Sequence, residues 1–330
     1  MDIDKFVFSP PQISTAVTNS IEDARTDPTM LSLGLPALNE FVMARKDKVI
    51  GLLGDTSQGK TSLMSEIARN MSTQIDAEHG EIGIYVTWED NMEDFGMGDI
   101  ANFSKIPLVS LYNGQVKEHE FKKLMQAATE RATTPLWIIG HSETSGMRPQ
   151  LTMTDVCEAV EWIVAKQGRK VRFMCGDYLQ RINRRDTNER DTRMQFSAIM
   201  DAWKNLALAY HPSVFVGSQV SRDKVEKHKW RQPQIHWAME TSNFEHTCDA
   251  ALSVWMPSKS NDAWKMGDQL QDGITVTKEL LLVEILKQKK GATQILKALD
   301  FLPEYSMFLP YGRGEAMRER LQREAVNNAI

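Results

Sequence analysis

The spacing of hydrophobic and polar positions divides the chain. Residues 1–30 are mostly polar, with Pro10-Pro11 and the stretch from Thr18 to Thr29, and predict an arm or linker with room for one short helix. From Leu31 onward, short apolar runs alternate with helical patterns. The runs predict strands at Val49–Leu53, Ile82–Trp88, Leu136–Ile139, Val171–Cys175, Ser213–Gly217, Ala251–Trp255, Glu279–Leu286 and Ile295–Phe301. The early runs are continuously apolar, the pattern of strands buried on both faces of a parallel sheet. The clearest helix is Met194–Tyr210, where Phe196, Ile199, Met200, Trp203, Leu206 and Tyr210 recur at steps of three or four. Strands alternating with helices predict an α/β layered domain. The last strands follow one another without long helices, which predicts antiparallel strands added at one edge of a mostly parallel sheet. The domain is expected to span 31–312, with a charged helix or tail at 313–330.

One of these strand-to-helix junctions carries chemistry. Val49-Ile-Gly-Leu-Leu53 runs into Gly54-Asp55-Thr56-Ser57-Gln58-Gly59-Lys60-Thr61-Ser62, which matches the phosphate-loop pattern of glycine, four residues, then Gly-Lys-Thr. A helix bearing Leu63, Met64, Ile67, Ala68 and Met71 on one face follows. Glycines let backbone N–H groups converge on phosphate oxygens, and the new helix adds the positive end of its dipole. Lys60 would reach the β- and γ-phosphates of ATP, and the Thr61 hydroxyl would ligate Mg²⁺. A second metal-side carboxylate is offered by Asp177, which ends the run Val171-Arg-Phe-Met-Cys-Gly. Glu89 follows the run ending at Trp88 and could take a proton from water, but local sequence leaves it open between that role and a solvated loop acid. Gln219 is open in the same way between a γ-phosphate sensor and a loop amide.

Composition narrows the classes. A chain with 42% hydrophobic and 25% charged residues is not disordered throughout. The net charge of −5 argues against a uniformly basic coat protein and leaves room for a local basic surface. The three cysteines, Cys157, Cys175 and Cys248, are odd in number and lack zinc spacing, so a reduced cytoplasm is expected. No apolar run reaches the ~18 residues of a membrane span.

The order of motifs resembles the ATPase domain of DnaB-type hexameric replicative helicases, on the RecA-like fold. Asp177-Tyr-Leu-Gln180 matches that family's metal-binding strand end. Gly217-Ser-Gln-Val-Ser-Arg222, Glu240 to Asp249, Lys287-Gln-Lys-Lys-Gly291 and Gly34-Leu-Pro-Ala-Leu38 resemble further motifs, in the family's order over roughly 31–302. The resemblance implies that Glu89 is the catalytic glutamate and that Gln219 couples the phosphate to DNA-binding loops. It places Lys289 where the family has its arginine finger. Lys287 and Lys289 also resemble the paired lysines of RecA recombinases, which act across a subunit interface. Only about 30 residues precede the core, so the family's N-terminal primase-interacting domain is expected to be missing.

Two basic stretches follow strand ends. The first holds Arg181, Arg184, Arg185, Arg190 and Arg193, and the second Arg222, Lys224, Lys227, Lys229 and Arg231. In the family these loops line a central channel and hold single-stranded DNA, so Arg184, Arg185, Arg193, Arg222, Lys224, Lys227, Lys229 and Arg231 are candidate DNA contacts. The leading expectation is an ATP-driven ring, a homo-hexamer that translocates on single-stranded DNA and works with a primase or loader. The alternatives are a RecA-like recombinase or filament-forming ATPase, and a scaffold ATPase without DNA.

Overall fold

A computed structural model describes residues 9–26, 30–145, 150–187, 189, 191–227, 232–238, 242–259, 264–270, 273–289 and 291–327. The elements in chain order begin with α1 (Pro10–Thr26), β1 (Met30–Leu31), α2 (Pro36–Asn39), β2 (Ala44–Arg45), β3 (Val49–Gly54), α3 (Lys60–Ser72) and β4 (Glu81–Thr87). Next come α4 (Met92–Ser104), α5 (Leu108–Tyr112), α6 (Phe121–Thr133), β5 (Leu136–Ile139), α7 (Met153–Gln167), β6 (Lys170–Asp177) and α8 (Thr192–Tyr210). The chain closes with β7 (Ser213–Gln219), α9 (Arg222–Lys227), α10 (Ser242–Thr247), β8 (Ala250–Trp255), β9 (Leu280–Gln288), β10 (Ile295–Leu302), β11 (Met307–Pro310) and α11 (Gly314–Asn327).

The main sheet has nine strands in the order β11-β10-β9-β8-β3-β7-β6-β4-β5. The run from β8 to β5 is parallel, and β9, β10 and β11 add antiparallel at one edge. This is the expected mixed sheet. The pair β1 and β2 and the edge strand β11 have no counterpart among the sequence-predicted strands.

The sheet is buried on both sides because its strands alternate between two cores. From β3, Ile50 and Leu52 face the core built with Leu63, Met64, Ile67 and Met71 of α3. Val49 and Leu53 face the other, with Val156 and Val160 of α7 and Phe196, Ile199 and Trp203 of α8. Helix starts and stops are locally encoded. Thr152 and Asp155 form a reciprocal capping box on α7, and Gly168 ends it in the left-handed region. Asp191 accepts the Arg193 and Met194 N–H groups at the start of α8. Helix α1 stands apart, with Ile13, Val17 and Ile21 all more than half exposed.

Because β3, β4, β6 and β7 are parallel and in register, their carboxyl ends meet. Gly54 pairs with Gln219, and Thr87 pairs with Asp177. The candidate residues are gathered by that register.

Candidate nucleotide-binding site

The phosphate loop links β3 to α3 and bends through two left-handed residues, Ser57 (φ 62°) and Gly59 (φ 83°). A Cβ at Gly59 would also lie 2.8 Å from Leu281 Cδ1, so both conformation and space demand glycine there. The buried Gln58 amide anchors the loop by accepting the Met256 N–H at 2.7 Å. Lys259 Nζ donates to the Ser57 carbonyl at 2.8 Å. A cleft of about 420 Å³ opens here, lined by Asp55, Thr56, Ser57, Gly59, Lys60, Thr61 and Ser62. Its opposite walls include Glu89, Tyr178, Gln219, Lys259 and the Phe301 to Ser306 turn.

Lys60 is buried in this cleft with its ammonium 3.9 Å from the centre of the Tyr178 ring. Burial lowers its pKa, opposed by the negative charges of Asp177, Glu89 and Asp55. Asp177 is buried too, and burial pushes its carboxyl up against the pull of Lys60 and the Thr61 hydroxyl. Tyr85 Oη donates to Asp177 Oδ2 at 3.3 Å, while Oδ1 has no hydrogen bond of normal geometry among the described residues. A buried carboxylate with one unpartnered oxygen, beside the Thr61 hydroxyl, is a donor set that fits Mg²⁺, which takes hard oxygen ligands and keeps several waters. Thr61 and Asp177 would hold it, and the bound cation would neutralise phosphate charge.

The third wall is a chain of hydrogen bonds. Gln219 Nε2 donates to Thr56 Oγ1 and to Tyr178 Oη, each at 3.1 Å. Arg181 Nε donates to the same Tyr178 oxygen at 3.0 Å, and Arg181 Nη2 lies 3.3 Å from Glu89 Oε1. Gln180 fixes the Gln219 backbone by accepting its N–H at 3.0 Å. The strand end carrying Asp177 and the loop after β4 are thereby tied to the phosphate loop.

This geometry can be set beside known proteins. The sequence matches the DnaB-like helicase C-terminal domain over residues 31–309. The chain belongs to that family. Comparison with curated proteins gave no match. Among solved structures, an ATPase domain is 18% identical over 92% of this chain and 99% of its own, with a TM-score of 0.75. A DnaB-like replicative helicase, described with its interactions with primase, is 18% identical over 90% of this chain and 66% of its own, at TM-score 0.71. At that identity the two establish the fold. Membership in the DnaB-like family implies a nucleotide-binding, NTP-hydrolysing domain.

The remaining candidates of this DnaB-like domain lie outside the cleft. Lys287 and Lys289 sit where β9 ends, at the amino end of the parallel strands. That is roughly 15–20 Å from the phosphate loop, the length of β3 at ~3.3 Å per residue. Lys287 Nζ donates to the Glu245 carbonyl, and Lys289 Nζ pairs with Asp249 Oδ1 at 2.9 Å. The first basic segment leaves β6 and the second leaves β7, both at the cleft end of the sheet. Arg185 and Arg193 are exposed. Arg184 is half-buried, its guanidinium 5.0 Å from the Phe196 ring, so part of its role is packing on α8. Lys224 donates to the His236 carbonyl at 2.6 Å. Arg222 and Lys227 lie on α9, whereas Lys229, Arg231 and Arg190 fall outside the described residues.

Sequence reasoning missed three parts of the cleft: Tyr178, Lys259 and the Phe301–Ser306 turn. Tyr178 follows Asp177 directly and could have been found from that adjacency. Lys259 and the Phe301–Ser306 turn carry no local signal, since the sheet edge brings them in from far along the chain.

Proposed function

We propose that this domain is the ATPase motor of a ring-forming helicase that hydrolyses ATP with Mg²⁺ and moves along single-stranded DNA. The observation that carries the reading is the Gln219 side chain. It contacts the phosphate loop through Thr56 and the metal-side strand end through Tyr178, and its own strand continues into a basic segment. A change at the phosphate can therefore reach that segment through one residue.

In this reading the loop N–H groups and Lys60 hold the polyphosphate, and Lys60 balances the charge that develops on it. Glu89 orients the attacking water and accepts its proton. Lys287 and Lys289 act on the nucleotide of a neighbouring subunit, which accounts for their distance from the cleft of their own chain. Lysine serves there as a point charge without the planar fork of arginine. The basic segments after β6 and β7 would repeat around the channel of a homo-hexamer and hold the DNA backbone. A primase or loader is the partner class that goes with replication.

Steady-state ATPase assays with and without single-stranded DNA, combined with negative-stain imaging with an ATP analogue, test the proposal. Closed rings and DNA-stimulated hydrolysis are expected. Open filaments would favour the recombinase reading, and hydrolysis indifferent to DNA would favour a scaffold ATPase.

A further inference from the structure

The contact between Arg181 and Glu89 joins the catalytic wall of the cleft to the first residue of a basic segment. The guanidinium uses one edge of its fork twice: Nε donates to Tyr178 Oη at 3.0 Å, and Nη2 meets Glu89 Oε1 at 3.3 Å. The Tyr178 hydroxyl is itself held by Gln219, and its ring lies under Lys60. Nη1 has no partner among the described residues, and the Arg181 side chain is 52% exposed. The opposite edge of the fork, Nη1 with Nη2, is thus turned to solvent, and that edge has the geometry for bidentate binding of a phosphate.

We infer that Arg181 is a positioning residue for Glu89: it restrains the carboxylate in the absence of DNA and gives it up when a DNA backbone phosphate takes the guanidinium. The inference rests on the DNA-stimulated ATPase reading above and names its regulation.

While the guanidinium engages Glu89 Oε1, that oxygen faces an N–H donor instead of an attacking water. Engagement also fixes the direction in which Glu89 points. A phosphate at Nη1 and Nη2 takes the second Nη2 proton, and its charge on the same guanidinium weakens the 3.3 Å contact to Glu89. The Tyr178 contact through Nε can persist, so Lys60 and Gln219 keep their support while the hold of Arg181 on Glu89 loosens. Nucleotide affinity is then untouched, and the chemical step alone responds to DNA. The pair is solvent-exposed, so its hold is modest and salt-sensitive.

The test is steady-state ATPase at low salt, with and without oligo-dT, for the parent, Arg181→Ala and Arg181→Lys. Arg181→Ala should raise basal kcat about two- to fivefold, the rate equivalent of an exposed ion pair. KM for ATP and the DNA-saturated kcat should stay at parental values, so the stimulation ratio falls by the same factor. Arg181→Lys keeps a charge but cannot hold Tyr178 and Glu89 together, and should lie between parent and Arg181→Ala. A purely structural role would lower kcat and raise KM in both conditions. That result, or a parental basal rate with a parental stimulation ratio, overturns the inference. If Arg181→Ala loses binding of a fluorescent ADP, the Arg181→Lys result decides by the same criteria. A parent that single-stranded DNA does not stimulate would remove the DNA reading itself. A stimulated parent with an equally stimulated Arg181→Ala removes only the role of Arg181.

Discussion

Replacing Asp249 by asparagine probes the end of the sheet opposite the phosphate loop. Asp249 Oδ2 accepts the Val49 N–H at 3.1 Å and pairs with Lys204 at 2.9 Å, while Oδ1 pairs with Lys289 at 2.9 Å. Burial alone would raise its pKa, but hydrogen bonds from Lys289 and Lys204 outweigh it and carry the carboxyl down from 3.8 to about 2. At about 1.36 kcal/mol per pKa unit this corresponds to about 2.5 kcal/mol, and solvent at the half-exposed Lys289 ammonium reduces it to about 2 kcal/mol. An asparagine cannot substitute for it, because either orientation turns its NH₂ toward an existing donor. Asp249→Asn should therefore lose about 2 kcal/mol in urea unfolding at pH 7. The folded pKa lies below the unfolded one, so the stabilisation is fully present above about pH 4 and is lost as pH falls from there toward 2. The gap between parent and variant should accordingly be the same at pH 7 and pH 5. Binding of fluorescent ADP should be unchanged, since the cleft is a strand length away. A gap below about 0.5 kcal/mol at pH 7, or one that vanishes between pH 7 and pH 5, would refute the assignment of this stability to the Asp249 charge.

Other expectations concern the site. Lys60→Ala should abolish hydrolysis and weaken nucleotide binding at least tenfold in a fluorescence titration, since it removes the buried cation of the cleft. Glu89→Gln should bind ATP normally and lose about 10²–10⁴ in kcat, which quenched-flow or steady-state assays would show. Lys289→Ala and Glu89→Gln, each inactive alone, should recover partial ATPase activity when co-assembled; no recovery in confirmed mixed assemblies would count against action across the interface. Replacing Arg185 and Arg193 by alanine should weaken single-stranded DNA binding and flatten its log–log salt slope by ~0.7 per lost phosphate contact. An unchanged slope would exclude these residues from the DNA surface.

Much of the site was legible because its parts are local. The phosphate loop is one continuous segment whose glycines, lysine and threonine sit at fixed offsets, and the apolar run before it makes a strand wherever it packs. The strands β3 to β8 were legible for the same reason: a strand with cores on both faces is apolar at every position, as Val49 to Leu53 show. Helix α8 was readable from its stripe, expected from Met194 and found from Thr192 behind an Asp191 cap. The ribbon of β1 with β2 was not readable, because two-residue strands have no period to detect; the edge strand β11, as short as the predicted β5, was also missed.

The sequence by itself determined which residue types could do the chemistry and the order in which strands would deliver them. Only the tertiary structure decided which of them meet. Local sequence left Glu89 and Gln219 open, and parallel register puts the ends of β4, β6, β7 and β3 that carry them side by side at the cleft. An antiparallel strand carries Lys287 and Lys289 to the far end of the sheet from the cleft, Lys287 onto the Glu245 carbonyl and Lys289 onto Asp249. Lys259 carries no signal until the same edge lays it on Ser57. Local sequence sets periodicity and caps because those depend on neighbours within a turn or a strand. Contacts between residues 92 apart, such as Glu89 with Arg181, depend on strand order and register, which the whole core fixes at once.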